Sequence, residues 1–323
     1  MTQLYPLRFE PILRRYIWGG RRLEEVLGKP LPPGNDYAES WEICDRADDQ
    51  SVVASGPLAG ISLGQLVRER GPELLGRNHP QSRFPLLFKF LDAQRALSVQ
   101  VHPNDARAAL LSPPDLGKTE AWVVLHAEPG SVIYAGLKRG FDRAALEREI
   151  ARGTCELCLH RFEPRVGDCV FIPAGTVHAL GAGLVIAEIQ QSSDVTYRLF
   201  DWNRLGADGR PRPLHVEQSL EAIDYRMGPV SPAKPQPTER PSISRLVACP
   251  QFVLERWKFD EPEQIGGDDR CRLIVVIDGL VNVTGDPSSE PLLKGRTALL
   301  PASLGGVRLA PHGRATLLCA YLP

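Results

Sequence analysis

The chain has 323 residues, with 38 basic against 39 acidic side chains and a formal net charge of −1. That length allows one large domain or two ordinary ones around an ample core, and the balanced charge gives no bulk attraction to nucleic acid or an anionic membrane. The opening MTQLYPLRFEPILRRYIWGG has no long apolar run behind a basic start, so neither a signal peptide nor a membrane span is expected and the default compartment is cytoplasmic.

Glycine and proline, 29 of each, punctuate short apolar runs throughout, which predicts many strands and tight turns. Helical spacing is confined to Ser62–Leu75, with Ser62 as N-cap, and to the shorter stretches Asn104–Leu111, Asp142–Arg152 and Val216–Ile223. Strands are expected over Phe88–Leu91, Leu97–Val101, Ala121–Leu125, Ser131–Tyr134, Asp168–Ile172, Leu184–Gln190 and Thr196–Phe200. Residues 228–242 contain five prolines and almost no hydrophobic side chains, the composition of an extended linker. Beyond it come further strands: Phe252–Trp257, Arg272–Ile277, Leu280–Val283, Thr297–Leu300 and Ala315–Ala320.

Seven cysteines, an odd number scattered through apolar runs, suit buried reduced thiols better than a disulfide framework. Cys155 and Cys158 form a CxxC, but a zinc ribbon needs a second such pair and the chain has none. We read this pair as structural.

Residues 167–178, Gly-Asp-Cys-Val-Phe-Ile-Pro-Ala-Gly-Thr-Val-His, are the most informative stretch. Pro173 fixes φ and Gly175 permits φ > 0, so the chain leaves a strand sharply and His178 stands just past the turn. The G-x5-P pattern recurs at Gly295–Pro301, where the position matching His178 is Gly306. Each copy follows a similar hairpin-like stretch, VVLHAEPGSVIY and IVVIDGLVNVTG. This predicts two related β-barrels, of which the first alone kept its histidine.

Partners for His178 come from nearby strands. In Leu97–His102, period two places Ser98, Gln100 and His102 on one face. Lys118 and Glu120 share a face at the mouth of the strand that follows Gly117. Two imidazoles, a carboxylate and an amide oxygen on strands of one barrel suit Zn²⁺ with a position left open for water or substrate. Glu188 and Gln190 follow on the next strand; then Asp194, Thr196 and Arg198 alternate on one face. An arginine facing into a barrel is costly unless it meets an anion, which points to an anionic substrate.

The stretches Tyr16–Gly20, Glu39–Glu42, Phe84–Lys89, Ser98–Pro103, Gly117–Glu120, Pro173–His178 and Gln191–Arg198, in that order, resemble type I mannose-6-phosphate isomerases, most of all their short bacterial form. The likeness spans about residues 10–205, and the C-terminal part matches in architecture alone. It implies a mainly β protein of two cupin-type barrels (jelly rolls), the first with short helical insertions. The expected divisions are a catalytic domain over 1–228, a linker over 229–242 and a metal-free cupin-like domain over 243–323. It further implies a zinc-dependent isomerase that interconverts mannose 6-phosphate and fructose 6-phosphate through a cis-enediol. Carried over by position, His102, Glu120 and His178 would hold one Zn²⁺, with Gln100 as the least secure fourth ligand. Arg198 falls on the family's active-site arginine, and Lys89, Lys118, Glu188 and Asp194 fall on residues lining the same pocket. Ser98, Lys89 and Arg198 are the expected substrate contacts. The partner is a small phosphosugar, with neither nucleic acid nor membrane, and the chain a monomer or homodimer. A non-catalytic sugar-sensing cupin, a metal-dependent cupin dioxygenase and an isomerase of another aldose remain as alternatives.

Overall fold

The computed structural model describes residues 3–205 and 209–323. Residues 12–200 supply β1 (Ile12–Gly20), β2 (Tyr37–Ile43), β3 (Leu86–Ala93), β4 (Val99–Val101), β5 (Glu120–Ala127), β6 (Ile133–Leu137), β7 (Leu159–Phe162), β8 (Cys169–Ile172), β9 (His178–Leu180), β10 (Leu184–Gln191) and β11 (Tyr197–Phe200). They form a six-stranded antiparallel sheet in the order β1-β2-β3-β10-β5-β8 and a five-stranded one in the order β11-β4-β9-β6-β7. The rest of the chain supplies β12 (Gln236–Pro237), β13 (Ile243–Ala248), β14 (Val253–Phe259), β15 (Glu263–Gly266), β16 (Arg272–Asp278), β17 (Leu280–Val283), β18 (Leu292–Leu293), β19 (Thr297–Leu300), β20 (Gly306–Pro311) and β21 (Ala315–Tyr321). Their sheets run β12-β13-β14-β21-β16-β19 and β15-β20-β17-β18.

The two six-stranded orders are one topology written twice, and the smaller sheets match once β11 is set aside. His178 opens β9 and Gly306 opens the corresponding β20, so the G-x5-P repeat marks equivalent strands and turns. The mainly β, antiparallel character expected from the sequence is present. β1 and β2 were not expected. All of β2 is buried, yet it reads Tyr-Ala-Glu-Ser-Trp-Glu-Ile. Its carboxylates meet buried lysines instead of water: Glu42 is 2.6 Å from Lys29, and Glu39 is 3.4 Å from Lys89.

Among the described residues, five α-helices decorate the N-terminal sheets: α1 (Arg22–Leu27), α2 (Leu63–Leu75), α3 (Asp105–Ala108), α4 (Arg143–Ala151) and α5 (Val216–Ala222). Ser62, Asn104 and Asp142 each accept a hydrogen bond from the third residue of the helix they cap, which satisfies an otherwise orphaned donor. α3 is shorter than expected, ending at Ala108, and α2 is kinked at Arg70 just ahead of Pro72, whose ring and missing N–H break the ladder. α1 was not expected; Gly28, left-handed at φ 66°, ends it.

Residues 229–242 run extended but are tied down. Val230 N–H donates to Ala135 O, Ala233 N–H donates to Cys169 O at 2.7 Å, and Gln236–Pro237 pairs with Ser244–Arg245. One apolar cluster crosses the whole molecule, joining Leu7, Phe88 and Val185 to Leu246, Phe252, Leu273 and Leu318. No helix among the described residues is long and apolar enough to cross a membrane.

All of the cysteines are free thiols. Cys155 and Cys158 sit in a short 3-10 turn packed against Val99, Leu146 and Leu199. Burial raises both, Cys158 to about 11, so neither offers a thiolate near neutral pH. Changing both to Ser is expected to lower the melting temperature while leaving metal content and catalytic rate unchanged. Loss of metal in that variant would show the pair to be a ligand set.

Candidate active site

The turn after β8 does the positioning. Gly175 has φ 88°, and its N–H donates to the carbonyl of His102 at 2.9 Å. The segment carrying His178 is thereby clipped to the one carrying His102. β4 and β9 also pair directly, Gln100 opposite His178, while Glu120 opens β5 opposite Ile172 at the end of β8. Residues far apart in sequence thus meet at one end of the two sheets.

His102, Glu120 and His178 are all fully buried, and their potential ligand atoms lie within 4.8 Å of one another. Glu120 Oε2 is 3.5 Å from His102 Nε2, and Glu120 Oε1 is 3.4 Å from His178 Nε2. His102 Nδ1 meets Val195 O and His178 Nδ1 meets Thr176 O, each at 2.9 Å. A carbonyl only accepts, so each Nδ1 carries the proton and each Nε2 points a lone pair into the cluster. That is how a ligating imidazole is normally oriented. Glu120 Oε1 has no hydrogen-bond partner although it is buried. Burial holds both histidines below their ordinary range, His178 at about 4, so both are neutral at pH 7. Two buried lone pairs and an orphaned carboxylate oxygen fit a divalent metal. The Gln100 amide lies 3.2 Å from His178 Nε2, within reach of the same centre.

Burial pushes Glu120 up to about 8 against the opposing pull of Lys118. Below that value the metal-free carboxyl carries a proton that a ligand must shed, whereas the histidines are already neutral. Metal uptake near pH 7 should therefore release about one proton, and the release should vanish well above pH 8. A weakly buffered indicator titration measures it; release of two or more protons would mean that the histidines begin charged.

Beside this cluster lies a cavity of about 300 Å³. Ser98, Gln100, Lys89, Lys118, Glu188, Asp194 and Arg198 all line it, so every site residue expected from the sequence is either in the cluster or on this wall. Lys118 Nζ reaches Glu120 Oε2, His102 Nε2 at 3.2 Å and Glu188 Oε1 at 3.3 Å. Lys89 stands 3.6 Å from the same Glu188 oxygen. Burial alone would raise Glu188, but the two lysines outweigh it and keep the carboxylate ionised; Lys89 is in turn held protonated by Glu188 and Glu39 despite its own burial.

Arg198 enters from β11. Its Nη1 donates to Pro213 O at 2.9 Å, and its buried Nε has no partner. Arg212 lies beside it on the cavity wall, gripped at both ends by Asp201 at 2.8 and 2.6 Å. Arg212 and Glu39 were not singled out from the sequence. Glu39 lies in a motif used for the resemblance, but Arg212 sits in an Arg-Pro-Arg-Pro run that reads as loop.

A family model described as the catalytic domain of type I phosphomannose isomerase matches residues 7–120. Mannose-6-phosphate isomerase ManA of Bacillus subtilis is 34% identical over 98% of this chain and 99% of its own length. The chain belongs to the type I phosphomannose isomerase family. The mannose-6-phosphate isomerase of Streptococcus mutans is 35% identical over 93% of each chain. The crystal structure of the Bacillus subtilis mannose 6-phosphate isomerase superposes with a TM-score of 0.89 at 30% identity, covering 99% of this chain and all of that one. A phosphomannose isomerase from Salmonella typhimurium, at 16% identity and a TM-score of 0.78, shares the fold.

Proposed function

We propose that the protein is a zinc-dependent isomerase that interconverts mannose 6-phosphate and fructose 6-phosphate. The observation that carries this reading is the juxtaposition of the buried His102–Glu120–His178 cluster with a cavity walled by Lys89, Lys118, Glu188 and Arg198. The reaction moves a proton between C1 and C2 of the sugar through a cis-enediol. It therefore needs a group that carries the proton and positive charge for the enediolate oxygens.

His102, Glu120 and His178 would hold the ion, with Gln100 as a fourth ligand once its amide oxygen faces the centre. Zn²⁺ held by these residues would supply Lewis-acid chemistry next to the cavity. Glu188 is the ionised carboxylate between two ammonium groups, and we assign it the proton transfer. Lys89 and Lys118, both donors on the cavity wall, would stabilise the developing oxyanion. Ser98 and Asp194 line the same wall and would orient hydroxyl groups. Arg198, with Arg212 beside it, would hold the phosphate, because two guanidinium groups at one end of a cavity match a dianion.

The matching sheet orders support two cupin-type barrels, a catalytic one within residues 1–228 and a second, metal-free one over 243–323, joined through 229–242. A coupled assay on mannose 6-phosphate tests the function. Turnover should disappear with a chelator and return on adding Zn²⁺; turnover that persists in metal-free protein would sink the zinc reading, and none with the metal restored would sink the isomerase reading.

A further inference from the structure

The second half of the chain holds a cavity where the first half holds its active site. Strand pairing fixes the correspondence. Glu120 faces Ile172, just before Pro173; Arg272 faces Leu300, just before Pro301. Gln100 faces His178, and Gly266 faces Gly306. His102 lies two residues past Gln100, and Asp268 two residues past Gly266. The residues His102, Glu120 and His178 therefore become Asp268, Arg272 and Gly306. No metal set survives that exchange, and a guanidinium stands where the first half has a carboxyl. The Arg272 guanidinium bonds Asp268 at 2.7 Å and lies 4.2 Å over the Tyr321 ring.

Around it is a cavity of about 700 Å³ walled by Arg240, Arg245, Arg272, Glu255, Trp257 and Tyr321, among others. Its hydrogen-bonding capacity is lopsided. Glu255 spends one oxygen on Trp257 Nε1 at 3.1 Å and the other on Tyr321 OH at 2.9 Å. Glu263, nearby, accepts from Arg240 and Ser242. Glu255 and Glu263 are thus engaged, while guanidinium donors are left over. Arg272 is about nine-tenths buried with its Nε unpartnered, and Arg245 makes one loose contact, 4.0 Å to Glu255. Arg240 and Arg272 are paired with Glu263 and Asp268, which leaves Arg245, among the described residues, as the wall's one cation without a close carboxylate.

The incompletely partnered guanidinium groups of Arg245 and Arg272 suit an oxyanion, and the volume leaves room for more than an inorganic ion. We propose that this cavity is a second binding site, distinct from the active site, for a small phosphate ester of sugar size, with its phosphate on Arg245 and Arg272. Pro237–Arg240 of the proline-rich segment form part of the wall, so the ligand would touch the stretch that joins the two halves.

Equilibrium dialysis of the metal-loaded full chain tests it, with inorganic phosphate and fructose 6-phosphate as probes. Two equivalents of fructose 6-phosphate should bind per chain, and inorganic phosphate should compete for both. Arg245→Ala, at a half-exposed side chain remote from the catalytic groups, should weaken one equivalent about tenfold or more and leave kcat and KM unchanged; Arg245→Lys should restore part of that binding. A single equivalent in the unaltered protein, or a second one indifferent to Arg245→Ala, overturns the proposal. Binding of inorganic phosphate there without the ester overturns the ester assignment. An inactive protein that still binds at the Arg245 site would sink the isomerase reading alone.

Discussion

The His178→Ala protein is expected to lose bound metal and turnover together. His178 offers one of two imidazole lone pairs, it is completely buried, and nothing nearby replaces it except the Gln100 amide. Removing one ligand from so small a set should empty the site at micromolar metal. The rate should fall by ~10³-fold or more if a Lewis acid contributes several kcal/mol to the transition state. Deleting a buried ring also opens a void, so some fall in melting temperature will accompany it. His178→Gln separates the two effects, since it fills most of the volume and should still bind metal weakly. A variant that keeps full rate without metal would end the metal-based reading.

Arg198→Ala should behave in the opposite way: metal content unchanged, turnover collapsed. The guanidinium lines the cavity yet is not among the cluster ligands, and its single fixed bond is to Pro213 O. Losing that bond should cost about 1 kcal/mol of stability. If the cation meets substrate charge as proposed, its loss should cost roughly 10²–10³ in kcat/KM. Metal analysis, thermal melting and steady-state kinetics on one preparation distinguish the cases. If the variant unfolds instead, Arg198 is a structural residue and the phosphate end of the cavity must be placed elsewhere.

Wherever one periodicity or one local cap decides the outcome, the sequence alone was a sound guide. Ser62 and Asp142 cap the helices they were expected to cap, and the alternation of Ser98, Gln100 and His102 brings the first two to the cavity wall and the third to the cluster beside it. It failed where polarity was misleading. Glu39 and Glu42 made β2 look solvated, although buried lysines from other segments neutralise them, and no local pattern announces such long-range pairing. Arg212 was hidden for a related reason. Its orientation depends on Asp201, eleven residues earlier in the chain. The meeting of His102, Glu120 and His178 was legible because each sits beside a turn or strand end with its own signature. The shared apolar core was not, since residues 229–242 look like a tether until their hydrogen bonds to Ala135 and Cys169 are seen.

The bond from Gly175 to His102 has a thermodynamic consequence for the ion itself. Because the two imidazole-bearing segments are fastened to each other by the backbone, the entropy of bringing the ligands together is largely spent when the protein folds. A metal bound by the cluster would find two of its three ligand segments already held together, so less of its binding free energy would be spent on ordering them. The same fastening would let the cluster persist after the ion leaves. Exchange between divalent metals should therefore be reversible without unfolding, and the ion carried in a cell should follow supply as much as preference.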